Sequence, residues 1–152
     1  MRGLTCLSLA FALLTCPPLI SSAASDDLAV VIAAQSPVDR LSPGAIRLIF
    51  NRKSLLDGNG NRWIPVNLPP ADPARRAFSQ ALFGAMPEEM EEYWNIEYFH
   101  GITPPEVLAS EEAVLRFVSA TAGAIGYVHA SRADNRVKIL AHVSQPLPSK
   151  AR

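Results

Sequence analysis

Cysteine is almost missing from this chain. Only Cys6 and Cys16 occur among its 152 residues, and both lie near the start. The rest of the sequence therefore has no disulfide, thiol nucleophile or thiolate metal site. Net charge is missing too, with 14 basic residues balanced by 14 acidic ones. That balance supplies no basic stripe for nucleic acid and no polybasic patch for a membrane surface. Histidine is sparse. His100, His129 and His142 are never within four residues of one another, so no helix carries two metal ligands on one face. There is no Gly-x-Ser-x-Gly elbow, no His-Glu-x-x-His and no glycine-rich loop ending in Lys-Ser/Thr. Ser36, Ser42, Ser79 and Ser110 offer hydroxyls but no base that the sequence places beside them. The expectation is a binding protein, not an enzyme, with no cofactor, no metal and no catalytic residue. No internal repeat is present.

The N-terminus has the layout of an export signal. Met1-Arg2 is a short positive start, Leu4 to Cys16 is an almost unbroken apolar run, and Ser22-Ala23-Ala24 are small. The apolar run falls short of the roughly 20 residues that span a membrane. Residues 1–24 are expected to be a signal peptide cleaved after Ala24, giving a periplasmic or secreted protein. Lipidation at Cys16, after Leu14-Thr15, is the alternative. Cleavage leaves 128 of the 152 residues, the size of one domain, and removes both cysteines. Arg2 is the one charge lost, so 13 basic side chains then face 14 acidic ones. A ligand anion must be caught by a local site and not by the overall field.

Residues 25–143 read as one α/β domain, a small sheet covered by helices, and residues 144–152 as a disordered tail. Leu28 to Ala34 is a continuous apolar run rich in β-branched residues, as in a strand buried on both faces of a parallel sheet. Ser42-Pro43 is a cap followed by proline at the first helical position, and Ile46, Ile49 and Phe50 then share a face. Asp57 to Asn61 is a turn cluster. Trp63 to Val66 is a short strand, which Pro65 marks as an edge or a strand end. Asp72-Pro73 repeats the cap signal before a helix over Ala74–Phe83, with Phe78, Leu82 and Ala81 inward. A further helix starts at Pro87, with Met90, Tyr93 and Trp94 as its apolar face. Ser110 caps another, with Val114, Leu115, Phe117 and Val118 as inward candidates. Gly123–Val128 and Val137–Val143 are two closing strands joined by a polar turn at Ser131–Asn135.

Glu88, Glu89, Glu91 and Glu92 cluster around a helix start, opposite Met90 and Trp94, and read as a solvated face. His100-Gly101 reads as a helix C-terminus. The remaining chemistry is anion capture. Ser42, Asp72, Pro87 and Ser110 mark helix N-termini, where free N–H groups and the helix dipole attract negative charge.

Three stretches in fixed order carry a resemblance: Leu41-Ser-Pro-Gly-Ala-Ile-Arg-Leu-Ile-Phe50, Trp63-Ile-Pro-Val66 and Ala122-Gly-Ala-Ile-Gly-Tyr-Val128. With Ser36-Pro37-Val38 and Arg52-Lys53, which stands where a Gly-Lys segment is usual, they resemble the phosphate ABC transporter substrate-binding proteins, of type 2 periplasmic-binding fold. The resemblance runs from about Leu28 to Ile139. It implies one lobe of a fold that, in the family, clamps an anion between two lobes in a chain about twice as long. The family's anion motif is an arginine, a Ser-Gly-Thr and then a Phe-bearing helix. Aligned on Phe78, those positions hold Leu68, Asp72, Pro73 and Ala74, so the guanidinium and both hydroxyls are replaced. The resemblance leaves Asn67, Arg75, Arg76 and Ser110 as the candidate ligand-binding residues. The expected partners are a small anion such as phosphate and a membrane transporter or sensor protein. The alternative is a protein-interaction or signalling module that has lost its ligand.

Overall fold

A computed structural model describes residues 27–144. The signal-peptide reading of residues 1–24, Cys16 and the tail from residue 145 onward lie outside those residues. Within these residues five strands and four helices follow in the order β1 (Leu28–Ala33), α1 (Pro43–Phe50), β2 (Ile64–Asn67), α2 (Pro73–Phe83), α3 (Glu91–Phe99), β3 (Glu106–Val107), α4 (Glu111–Ala120), β4 (Ala124–His129) and β5 (Val137–Val143). The strands form one mixed sheet in the order β3-β2-β4-β1-β5.

Strand β1 is buried at all six positions, as its apolar run demands. Its neighbours differ from expectation. It is antiparallel to both β4 and β5, and it separates these two closing strands, which do not pair with each other. A run without alternation reports burial on two faces, and that burial is blind to strand direction. The parallel part of the sheet is β3-β2-β4.

Strand β2 is interior to the sheet, not an edge, but Pro65 stands near its start and ahead of the β3 ladder, in keeping with a strand end, and its missing N–H fits there. Ile64 donates its N–H to Gly123 O on the β4 side, while the Asn67 carbonyl accepts from Leu108 on the β3 side. Alternation puts the Pro65 nitrogen on the β3 side. Pairing with β3 begins only at Val66, so no donor is needed there.

Side chains of β4 sort the helices to two faces. Tyr127 stacks on Phe78 of α2 with centroids 3.8 Å apart and planes 6° apart, and Phe50 of α1 meets Phe78 edge-on at 4.8 Å. Arg47 of α1 donates from Nε to Leu82 O at 2.7 Å, which ties α1 to α2. On the other face Gly126 lets α4 approach. A Cβ there would lie 2.6 Å from Val114 Cγ1 and 3.0 Å from Val66 Cγ2. Gly123 has φ +78°, and a Cβ on it would lie 2.1 Å from the Arg62 carbonyl oxygen. Both glycines of the Gly-Ala-Ile-Gly-Tyr-Val stretch are thus steric requirements of the fold.

The caps behave as their residue types predict. Ser42, Asp72 and Ser110 accept from Ala45, Ala74 and Ala113 N–H. The segment at Pro87 begins as a 3-10 turn, Pro87–Met90, before α3 proper. Its buried residue is Glu97, with Met90, Tyr93 and Trp94 half-buried, while Ile96, Tyr98 and Phe99 are exposed. The Lys53 ammonium sits 2.6 Å from Glu97 Oε1 and the Tyr93 hydroxyl donates to Asn51 O, so polar anchors dock α3 on the end of α1. Ala81 and Phe117, expected inward, are half-buried, and β3 has too few residues to leave a pattern in sequence. The Ser131–Asn135 turn opens with a short 3-10 segment, Ala130–Arg132.

Candidate functional site

The parallel strands β2, β3 and β4 end together at Asn67, Val107 and His129, and helices α2 and α4 begin just beyond the first two. Crevices at the carboxyl ends of parallel strands are the usual ligand sites of α/β sheets, because chain crossings leave backbone donors and helix starts facing open space. Here much of that donor capacity is taken up internally. Pro73 at the first position of α2 has no N–H, and the Ala74 N–H goes to Asp72 Oδ1 at 2.8 Å. Leu68, where the resemblance sets an arginine, is fully buried, and its N–H donates to the Tyr127 hydroxyl at 3.2 Å.

Arg75 is different. It sits on the inward face of α2 with Phe78, Ser79 and Leu82, and is only 8% exposed. Its guanidinium lies beside the Tyr127 hydroxyl, whose ionisation burial pushes up while the Arg75 charge pulls it back. Among the described residues no carboxylate comes within 4 Å of Arg75 to form an ion pair, and its buried Nε has no partner. A buried cation without a counter-charge is unfavourable unless something compensates it. Asn67, 4% exposed, completes the group, its Oδ1 accepting from the Tyr127 hydroxyl at 3.4 Å.

The structure thus brings Asn67 and Arg75 together around Tyr127. It does not bring Arg76 or Ser110 to them with free groups. The Arg76 guanidinium forms two bonds to the Glu88 carboxylate, at 3.0 and 3.1 Å, on the exposed side of α2. The exposed Ser110 hydroxyl caps its own helix. Tyr127 was the residue missed. Strand alternation within Gly123–Val128 sets it on the α2 face, but only the pairing of β4 beside β2 reveals that its hydroxyl reaches Asn67.

Two histidine–carboxylate pairs stand at the same end of the sheet. Glu111 accepts from the His129 backbone N–H at 2.8 Å, its Oε1 lies 2.6 Å from His129 Nδ1, and Arg132 adds a bond at 3.1 Å. Burial raises the Glu111 pKa, but these donors outweigh it and hold the carboxyl below its usual range. His142 Nδ1 lies 2.6 Å from Asp27 Oδ2. Among the described residues no three His, Cys, Asp or Glu side chains converge as metal ligands. His100 caps the C-terminus of α3, and Glu88, Glu89, Glu91 and Glu92 are all exposed. No described helix is long and apolar enough to cross a membrane.

No protein-family profile matches the chain, and no curated protein matches it in sequence. Solved structures do match it in fold. A Clostridium perfringens protein described as a phosphate ABC transporter substrate-binding protein, with bound phosphate, aligns at TM-score 0.63 and 21% identity over 76% of this chain and 44% of its own. An ABC-type phosphate transport receptor from Vibrio cholerae aligns at TM-score 0.62 and 17% identity over 76% and 45%. PstS from Borrelia burgdorferi aligns at TM-score 0.61 and 16% identity over 76% and 47%. The chain spans less than half the length of each. It has the fold of one lobe of these periplasmic-binding proteins.

Proposed function

We propose that the protein is an exported, non-enzymatic solute-binding module that holds a small oxyanion, such as phosphate, at the carboxyl end of β2. One observation carries this: the buried Arg75 side chain has no ion-pair partner among the described residues, and it stands in the first turn of α2, the helix whose start aligns with the anion motif in the sequence resemblance. Arg75 supplies the charge and Asn67 its amide donor, with Tyr127 fixing the orientation of both. Asp72, at the cap of the same helix, disfavours highly charged ligands, so singly charged oxyanions are preferred over dianions. Arg76 serves only if the ligand displaces Glu88. Ser110 contributes only by giving up its cap.

A thermal-shift titration with phosphate, sulfate, nitrate and formate tests this. Saturation to 100 times Kd adds about 2.7 kcal/mol of stability. If no anion raises the transition temperature, the anion reading is wrong. Export through residues 1–24 is tested by the mass of the processed protein. A new N-terminus at Ser25 supports cleavage after Ala24, and a lipid-modified Cys16 overturns it.

A second reading has its own support. Ile96, Tyr98 and Phe99 on α3 are 52%, 66% and 87% exposed, an apolar face suited to a protein partner such as a membrane transporter or sensor. Replacing Tyr98 and Phe99 by lysine should then abolish association with that partner and leave the thermal stability unchanged. An unaltered association sinks that reading.

A further inference from the structure

A concavity of about 310 Å³ opens at the opposite end of the sheet from Arg75, between the exit of β1, the Asp57–Asn61 turn and the α4–β4 junction. Its volume falls at the lower end of small-molecule sites, which run from about 300 to 1,000 Å³. The floor is apolar and aromatic. Ile32 and Trp63 line it from the core, where at 2% and 5% exposure each shows only a small apolar area to the space, and the alanines and glycine of the α4–β4 junction leave that space open.

The rim is polar and carries charge of one sign. Among the described residues, Asp57 is the only ionisable side chain lining the concavity, and no described lysine or arginine lines it. The turn holds Asp57 in place. Its Oδ1 accepts the N–H groups of Asn59 and Asn61, both at 2.8 Å, and its Oδ2 accepts Asn61 Nδ2 at 3.0 Å. The Asn61 side chain, burial opposing it, and then the backbone donors together keep the carboxyl below its ordinary range, so it is ionised at neutral pH. Oδ2 has accepted one donor and has room for another. Gln35 and Ser36 stand on the facing rim with hydrogen-bonding groups but no charge.

We propose that this concavity is a second binding site, for a small organic ammonium ion: an apolar or aromatic body seated on Trp63 and an amine donating to Asp57 Oδ2 at the rim. An aromatic floor under an anionic rim with no opposing cation selects this class by charge and shape together. The site is separate from the oxyanion group by place and by the sign of its charge, and it does not depend on that reading.

The test uses the full chain with Trp94→Phe, which leaves Trp63 as the only tryptophan of the two. Its emission is followed during titration with 2-phenylethylamine and with phenylacetate, which have the same ring and opposite charge. The amine should give a saturable change and phenylacetate none. Asp57→Asn, which retains an oxygen for the turn, should weaken the amine about tenfold, as loss of one charge contact does. Gln35→Lys, on an exposed residue, should weaken the amine and admit phenylacetate. Equal response to amine and acid overturns the proposal and leaves only an apolar hollow. So does no saturation below about 10 mM, or an amine affinity indifferent to both substitutions.

Discussion

Replacing Arg75 by methionine separates a ligand site from a structural contact. Methionine keeps most of the aliphatic stem and removes the charge. Arg75 is 8% exposed, its Nε is buried without a partner, and no described carboxylate pairs with it. A buried donor without an acceptor costs about 1–3 kcal/mol. Of the three guanidinium nitrogens only Nε is both buried and unpartnered, so the lower part of that range applies. In anion-free buffer, Arg75→Met should therefore stabilise the protein by about 1 kcal/mol, or roughly 3–5 °C for a domain of this size. With saturating phosphate the order should reverse. The wild type gains about 2.7 kcal/mol at 100 times Kd, while the variant gains nothing. Paired thermal scans in anion-free buffer and in phosphate decide the matter. Destabilisation of Arg75→Met by 2 kcal/mol or more without anion would refute the reasoning, since it would mean that the guanidinium already has its partner in Tyr127 and the surrounding backbone.

Glu111 makes stability depend on pH below neutrality. Its folded-state pKa lies below the unfolded value, so its contribution is complete above about 4.5 and is lost as pH falls through the depressed folded value. Glu111→Gln should cost about 1–2 kcal/mol at pH 7 and progressively less as pH falls below about 4.5, measured by urea unfolding across that range; a cost that does not change with pH refutes the assignment. Gly126→Ala should cost about 1–3 kcal/mol by pushing α4 off the sheet, since the new methyl meets Val114 at 2.6 Å. Arg52 has φ +60° just past the end of α1, where glycine is at ease. Arg52→Gly should raise stability by about 0.5 kcal/mol in urea melts, because the relief of strain exceeds the loss of a long 3.4 Å bond to Trp63 O. Phe78→Ala should cost about 3–5 kcal/mol, as it empties the stack on Tyr127.

The helix starts were legible because their signals are local. Ser42-Pro43, Asp72-Pro73 and Ser110 each cap the helix they mark. The one-lobe fold was legible from three short stretches, and the glycines of the last of them now have a steric reason. Strand direction was not legible, since a fully apolar run such as Leu28–Ala33 packs equally well beside parallel or antiparallel neighbours. The face of α3 was hidden for a related reason. Its anchor is Glu97, and a buried carboxylate held by a lysine from the turn after α1 leaves no mark in a hydrophobic pattern. The candidate site was legible in half. Asn67 and Arg75 meet, whereas Arg76 and Ser110 are engaged elsewhere by partners, Glu88 and the α4 backbone, that only the folded chain selects.

The position of β1 has a consequence for the protein's birth. Among the described strands it is made before the others and lies in the interior of the sheet, yet its two neighbours, β4 and β5, follow only after β2 and β3. At about 5–20 residues per second, some 90 residues of synthesis separate β1 from β4, a wait of roughly 5–20 seconds. For that time Leu-Ala-Val-Val-Ile-Ala is an uncharged, strand-forming segment with both of its edges unclaimed, the composition from which chains aggregate. Both edges of β1 stay open to such pairing until β4 and β5 arrive, and a chain released short of β5 lacks the strand that closes one flank of β1.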